Sequence, residues 1–420
     1  MRIPMKGFTK LTPLNEALSQ LLEHTKPPTL EAERIILEQA LGRVLAEDVV
    51  APFDIPPFNR SAVDGYAVRA EDTFGASPSN PAVLSLRTEV IEAGMPPKFV
   101  LGENEAVEIY TGAPLPKGAD AVVMAENAVK ENAKLHVLSP VSPWQNVSRK
   151  GEDFEKGQVA LRRGHLLQPW DIGVLASFNL SEVQVLRRVK AAVMATGSEL
   201  IPPGGRLEEG KIIDSSRPLV KAFLEASGCE PIDLGIAPDD LREVANLIRR
   251  VLSEADFVVV IGGTSVGKRD LVPEAVKSLK PTLYVHGLSI KPGKPTGFAV
   301  VSEKPVFMLS GYPVAALVGF EAIIKPWLHR KCGLPAALRP KAKAKLARRV
   351  ASTPGVRDFL RVKLVKKNET LYAEPLRLTG SGLLSSITEA DALLIIPEEV
   401  EGYDEGAEVE VEILNLDAVI

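Results

Sequence analysis

Cysteine is nearly missing from this chain: Cys229 and Cys332 are the only two in 420 residues. They lie far apart and form no C-x-x-C pair, which excludes a disulfide-built scaffold and a cysteine zinc site and predicts a reducing, cytoplasmic setting. The five histidines, His286 and His329 among them, are scattered without metal-ligand spacing and are expected to serve packing or surface roles. Neither sign of charge dominates. Lys plus Arg is 50 against Asp plus Glu 54, a net charge of −4, so no strong pull on nucleic acid or on a membrane surface is expected. No apolar run approaches the roughly twenty residues that cross a bilayer, and no charged-then-apolar leader follows Met1. Aromatic residues are few, and none interleaves with the lysine-rich stretch Lys341-Ala342-Lys343-Ala344-Lys345, so its period-two alternation reads as the solvated face of a strand and not as a nucleic-acid groove.

What the chain does have is glycine placed after apolar strands. Asp256 to Ile261 is short, β-branched and uncharged after its first residue, as a parallel strand buried on both faces should be. It runs into Gly262-Gly263-Thr264-Ser265-Val266-Gly267, and Asp270 follows. Ligands of open α/β sheets bind at that end of such strands. Glycines let backbone approach a ligand, hydroxyls donate to it, and unpaired N–H groups near a helix start suit an anion, so phosphate is the natural guest. Asp270 stands where a carboxylate would hold a metal ion against that phosphate. A tight strand-to-helix turn with an Asp cap would use the same residues.

The surroundings repeat the theme. A second apolar strand, Lys190 to Thr196, ends at Gly197-Ser198-Glu199-Leu200. Asp214-Ser215-Ser216 is a good cap for a helix that begins near Pro218 and stops at Gly228. Pro231 to Leu234 reads as a strand, and Leu241, Val244, Leu247, Ile248 and Val251 give a helical period between Asp239 and Glu254. Alternating strands and helices predict a doubly wound parallel sheet. A dinucleotide-binding Rossmann domain is disfavoured, because its glycine fingerprint belongs on the first strand-to-helix turn and here follows the third strand. Further on, Lys291-Pro292-Gly293-Lys294-Pro295 pins two cations on a stiff turn, suited to a small oxyanion, although Pro and Gly also make ordinary surface turns. Val306 to Leu309 then leads through Ser310-Gly311-Tyr312 into a helix at Pro313, whose first N–H groups can again meet an anion.

Outside this region, Leu14 to Leu22 and Glu31 to Ala40 show helical periodicity, the latter ending at Gly42. The segments Phe53 to Ala67, Glu92-Ala93-Gly94, Tyr110-Thr111-Gly112-Ala113-Pro114, Gly118 to Val123 and Arg149-Lys150-Gly151-Glu152-Asp153 follow. Asp64-Gly65 alone would be read as a hairpin turn. Together with GSEL, GGTSVGKRD, KPGKP and LSGYPVAA, in this order and spacing, they resemble the molybdopterin molybdenumtransferase family, to which the C-terminal part of gephyrin also belongs. The resemblance runs from near residue 8 to near residue 400 and covers parts that the small molybdopterin adenylyltransferase lacks.

The resemblance implies an elongated multidomain α/β and β protein. Its parts would be a linker domain at 1–47 plus 148–186, an inserted β-rich domain at 48–147, the doubly wound molybdopterin-binding domain at 187–331, and a C-terminal β-barrel at 336–420. It implies insertion of molybdate into adenylylated molybdopterin with release of AMP, helped by Mg2+. By the same resemblance Gly262, Gly263, Thr264, Ser265 and Gly267 would cradle the pterin phosphate, with Thr111, Pro295, Gly311 and Pro313 also in contact with substrate. Asp270, Glu199 and Asp153 would be the metal ligands, with Asp64 a further catalytic carboxylate. Lys291 and Lys294 would hold molybdate, and Arg361 and Ser381 resemble positions of an initial molybdate site nearby. Tungstate, of nearly the same size and charge, would fit the same lysines. A homodimer is implied, and the molybdopterin adenylyltransferase is an implied partner. The competing reading is a scaffold without transfer activity, since gephyrin also clusters other proteins. The chain departs from many relatives at Tyr312 and Ala315, where Asn and Ser are common, and at Ser216, where Asn is common.

Overall fold

The computed structural model describes residues 11–264, 271–334, 339–376 and 382–415. The chain divides into two compact units, one of Met1–Glu31 with Arg187–Ile420 and the other Ala32–Leu186.

In the first unit the apolar runs assemble as read. Six strands lie in the order Cys229–Ala237, Val189–Thr196, Phe257–Ile261, Lys304–Leu309, Gly297–Val301, Leu283–His286. The first four are parallel, with Val193 opposite Val259 and Val259 opposite Phe307. The last two run antiparallel, Phe298 pairing with Phe307 and Val285 with Phe298, an edge that the alternation of strands and helices did not signal. All five residues of Phe257–Ile261 are buried because both faces are covered. Val259 and Ile261 pack with residues of the helices Leu14–His24, Ser216–Ala226 and Lys325–Cys332. Val258 and Val260 face the helices Leu241–Val251 and Leu271–Ser278. Each such fully buried side chain contributes roughly 1.5–3 kcal/mol.

Helix ends follow local chemistry. Asp240 accepts from the N–H groups of Arg242 and Glu243 at 2.8 and 2.9 Å, capping Leu241–Val251. Asp214, 2% exposed, accepts from Arg217 N at 3.1 Å and Arg217 Nε at 2.8 Å, fixing the start of Ser216–Ala226. Cys229 and Cys332 are buried in the same core, and burial raises the Cys229 thiol to about 12, so it stays protonated.

The five strands Lys341–Leu346, Arg357–Lys367, Thr370–Pro375, Ala392–Ile396 and Glu408–Ile413 close on themselves through the pairing of Arg357–Lys367 with Ala392–Ile396. Leu346, Val362, Leu364, Leu394 and Val411 fill the interior. Outside, Lys341 pairs with Glu410 at 2.6 Å and Lys343 with Glu408 at 2.9 Å, so the lysine-rich strand is the solvated face its alternation indicated. A short strand, Ile290–Lys291, adds to the barrel in parallel with the start of Arg357–Lys367. The lysine turn is therefore stitched to the barrel.

The second unit is β-rich, with a six-stranded sheet in the order Ala121–Met124, Gly65–Val68, Glu105–Ile109, Ala82–Ile91, Lys134–Val137, Ala128–Glu131. Here the helical reading of Glu31 to Ala40 fails. Ala32–Ile36 is a strand antiparallel to Glu182–Leu186, with Ile35 opposite Val183, and only Leu37–Gln39 turns as a short helix. An isolated ten-residue helix is marginal in water, whereas the ladder satisfies this backbone and brings Ile35 and Leu37 onto a core of Leu45, Val183 and Val185. Among the described residues no helix is long and apolar enough to cross a membrane.

Candidate functional site

Two glycine turns meet at the carboxyl edge of the parallel sheet. Gly262 and Gly263 leave Phe257–Ile261 with φ of +93° and +58°. A Cβ on Gly262 would lie 2.4 Å from the Thr196 carbonyl oxygen, and one on Gly263 would lie 3.0 Å from Thr196 Oγ1. Gly262 N donates to the Leu309 carbonyl at 3.0 Å, and a Cβ on Gly311 would stand 3.4 Å from Gly262 Cα. The turn at Gly262 therefore needs glycine, because backbone approaches backbone there at a positive φ, while Gly311 packs against it at ordinary contact distance. Thr264 is 3% exposed; its hydroxyl donates to the Leu309 carbonyl in a long 3.4 Å contact, and its own carbonyl accepts from His286 Nε2 at 3.0 Å. Ser265, Gly267 and Asp270 lie outside the described residues, as does Ser381.

One donor at this edge was missed from sequence. Thr196 is 4% exposed, its Oγ1 has no hydrogen-bond partner among the described residues, and it lies 3.0 Å from the position of a Gly263 Cβ. Its place as the last residue of an apolar strand before Gly197 was the available signal. Ser216 also has a positive role that its departure from the family pattern hid: its hydroxyl donates to the Gly311 carbonyl at 2.8 Å and holds that turn. Glu199 is exposed at the end of Val189–Thr196, where a Cβ on Gly197 would meet both of its carboxylate oxygens at 2.8 Å. Tyr312 is 62% exposed, and its ring lies 3.1 Å from where a Cβ on Gly382 would be.

The lysine turn is tied to this edge through the helix Pro313–Gly319. Gly311, just before that helix, abuts Gly262, while the Ala315 carbonyl, within it, lies 3.3 Å from the position of a Gly293 Cβ. Gly293 has φ +111° and is wedged between Ile290 and Ala315, so glycine is required there too. Lys294 is exposed, Pro295 is half-buried in the same turn, and Pro313 is the buried first residue of the helix. Lys291 is not a free cation: its Nζ lies 2.8 Å from Oδ2 of Asp358, a side chain only 4% exposed. Arg361 is 7% exposed; burial pulls its guanidinium below its ordinary value while the Asp358 charge pushes back. Cationic groups thus gather where the barrel meets the doubly wound sheet.

In the Ala32–Leu186 unit, Asp64 and Thr111 come together. Asp64 Oδ1 accepts from both the N–H and the hydroxyl of Thr111, each at 2.7 Å. The backbone N–H first and the hydroxyl second hold this carboxyl below its ordinary range, with a smaller opposing effect of burial. The adjacent Gly65 admits no side chain, since a Cβ there would lie 2.0 Å from the Val123 carbonyl oxygen. Asp153 is exposed and its N–H donates to the Ile55 carbonyl at 3.0 Å. Among the described residues no group of three or more His, Cys, Asp or Glu side chains gathers as a metal site.

Comparison with known proteins agrees along the whole chain. Residues 12–179 match the MoeA N-terminal region (domain I and II), 192–330 a probable molybdopterin binding domain, and 343–414 the MoeA C-terminal region (domain IV). A putative molybdopterin biosynthesis protein of Methanocaldococcus jannaschii is 39% identical over 426 residues, 98% of each chain. A molybdopterin molybdenumtransferase of Staphylococcus aureus is 34% identical over 406 residues, covering 97% of this chain and 96% of its own. The crystal structure of a molybdopterin biosynthesis MoeA protein from Pyrococcus horikoshii OT3 superposes with a TM-score of 0.81 at 37% identity, covering 96% of this chain and 100% of that one.

Proposed function

The chain belongs to the MoeA family of molybdopterin molybdenumtransferases, which act in molybdenum cofactor biosynthesis, and from that premise we propose how its residues divide the work. The substrates are molybdate and adenylylated molybdopterin. The observation that carries the division is the helix Pro313–Gly319, which joins the glycine edge at Gly311 to the lysine turn at Gly293. One element thereby sets the spacing between a phosphate-binding edge and an oxyanion-binding turn.

Gly262, Gly263, Thr264, Ser265 and Gly267 receive the terminal phosphate of the pterin, with backbone at Gly311 and the Thr196 hydroxyl as further donors. Lys291 and Lys294 hold molybdate, a tetrahedral dianion, and Arg361 and Ser381 serve an initial molybdate site. The bond that breaks joins the adenylate phosphorus to the pterin phosphate; an oxygen from molybdate or water completes AMP, and the metal joins the two dithiolene sulfurs.

Mg2+ fits the donors on hand, since a hard cation that keeps several waters needs only one or two carboxylates, and Glu199 offers an exposed one at the strand end. Asp270 and Glu199, with Asp153, would hold it. When bound, it supplies charge neutralisation for the phosphoanhydride.

Lys291→Ala and Lys294→Ala are expected to raise the molybdate concentration needed for half-maximal AMP release about tenfold or more, a loss of roughly 1.4 kcal/mol or more, while leaving the affinity for adenylylated pterin unchanged. Titrating each ligand separately checks this. Weakening of both together would move the lysines to the phosphate site.

We further propose a cytoplasmic homodimer in which Asp64, Thr111 and Asp153 of one subunit serve the glycine edge of its partner. The resemblance supports this, and a two-fold arrangement would build two identical sites from reciprocal halves. Mixing Asp64→Asn chains with Asp270→Asn chains is then expected to restore part of the activity, because each mixed dimer holds one site with both carboxylates. Mixed dimers as inactive as either parent would show that each subunit builds its own site.

A further inference from the structure

The Lys291–Asp358 pair sits inside the seam just assigned to the oxyanion, and the assigned chemistry has no use for a negative charge there. We propose that Asp358 is a built-in counter-anion, competing with the incoming oxyanion for the Lys291 ammonium and setting how tightly the site holds its anion. The inference rests on the reading of Lys291 as an oxyanion ligand.

Backbone geometry keeps the competitor in place. Ile290–Lys291 runs parallel to the start of Arg357–Lys367, with Ile290 opposite Arg357 and Lys291 opposite Asp358. Arg357 N donates to the Ser289 carbonyl at 2.9 Å, and the Arg357 guanidinium is held by Glu398 through contacts of 3.0 and 2.9 Å. The backbones of Lys291 and Asp358 are thereby held side by side. Asp358 Oδ2 accepts from Lys291 Nζ at 2.8 Å and from Ser352 Oγ at 3.4 Å. The carboxylate is 4% exposed while the Lys291 side chain is 42% exposed. The ammonium therefore faces two ways, toward a buried carboxylate and toward the solvent from which an anion arrives. Asp358 also acts on Arg361 through its charge, so the carboxylate offsets the local field of both cations.

An ionised carboxylate can only accept hydrogen bonds, as can a fully deprotonated tetrahedral oxyanion. The two repel across the shared ammonium, and burial of Asp358 leaves little screening by salt. Removing that charge while keeping the acceptor shape should tighten anion binding by about tenfold or more, given the strength of unit charges a few ångströms apart near a protein surface. An ordinary structural ion pair predicts the opposite: neutralising a buried partner would loosen the seam and weaken, or leave unchanged, the affinity for the anion.

The test is equilibrium binding of sodium molybdate alone to the full chain, by calorimetry at low ionic strength, for the parent, Asp358→Asn and Lys291→Ala. The expected result is binding about tenfold tighter for Asp358→Asn and at least tenfold weaker for Lys291→Ala. Unchanged or weaker binding by a folded Asp358→Asn chain, with Lys291→Ala still weakened, overturns the counter-anion alone. Unchanged binding by Lys291→Ala instead removes the reading of Lys291 on which it stands. Where the Asn chain does not fold, Asp358→Ser carries the same criterion, and failure of both to fold assigns the pair to structure and overturns the proposal.

Discussion

Asp270→Asn is expected to slow molybdate-dependent AMP release by about a hundredfold to a thousandfold, the usual cost of losing one preorganised electrostatic group at a reacting centre. The substitution removes charge while keeping shape. Asp270 follows Gly267 by three positions in the sequence, between the strand Phe257–Ile261 and the helix Leu271–Ser278. With Asp270 proposed as a Mg2+ ligand, the variant should also raise the Mg2+ concentration at half-maximal rate. Single-turnover AMP release across a Mg2+ titration reads both effects. Turnover within a factor of a few of the parent would remove Asp270 from the mechanism.

Gly262→Ala is expected to cost a large part of the stability at the carboxyl edge of the sheet. Its φ of +93° is a conformation that L side chains rarely adopt, and the new Cβ would stand 2.4 Å from the Thr196 carbonyl oxygen. That oxygen is backbone of a neighbouring central strand, paired with Phe257–Ile261 through Ala195 opposite Ile261, and cannot swing aside as a side chain could. Strained dihedrals alone cost on the order of 1–3 kcal/mol. Separating two packed strands adds to this, so a total loss of about 3 kcal/mol or more is expected, in the range that marks disruption of a special backbone position. Gly235→Ala is the control: φ is +73°, but nothing lies within 4 Å of its Cβ position. Denaturant midpoints of the two variants should differ clearly, with Gly235→Ala the milder. Equal midpoints would mean that the strand end yields to the extra methyl.

Sequence reasoning succeeded where a local pattern has one physical solution. Five consecutive apolar residues from Phe257 to Ile261 can be satisfied only by burial on both faces, and the glycines after them only by close backbone approach. The alternation of Lys341–Leu346 likewise admits one orientation against a barrel core. It failed where partners come from far along the chain. Glu31 to Ala40 carries a helical period, yet its strand is decided by Glu182–Leu186, which no local window contains. Asp358 is 67 residues from Lys291, and nothing around Phe359 or Leu360 announces an ion pair with a lysine turn.

Within the candidate site the same division holds. Asp64 and Thr111, 47 residues apart, were each named as site residues only by family resemblance, and no local pattern signals the hydrogen bonds to Oδ1 that join them. Ser216 stands out in the sequence only as a departure from the family's common Asn, whereas its hydroxyl holds the Gly311 turn. A threonine closing an apolar strand looks like a β-former; only its buried hydroxyl, without a partner among the described residues, distinguishes Thr196.

The central claim, that this chain transfers molybdate into adenylylated molybdopterin, is tested most directly by incubating the purified protein with adenylylated molybdopterin and Mg2+ and measuring AMP release with and without molybdate. The predicted result is AMP release that depends on molybdate and matches the amount of metal-loaded pterin formed. Tight binding of a pterin that stays adenylylated at every molybdate concentration would contradict the claim and mark the chain as a scaffold.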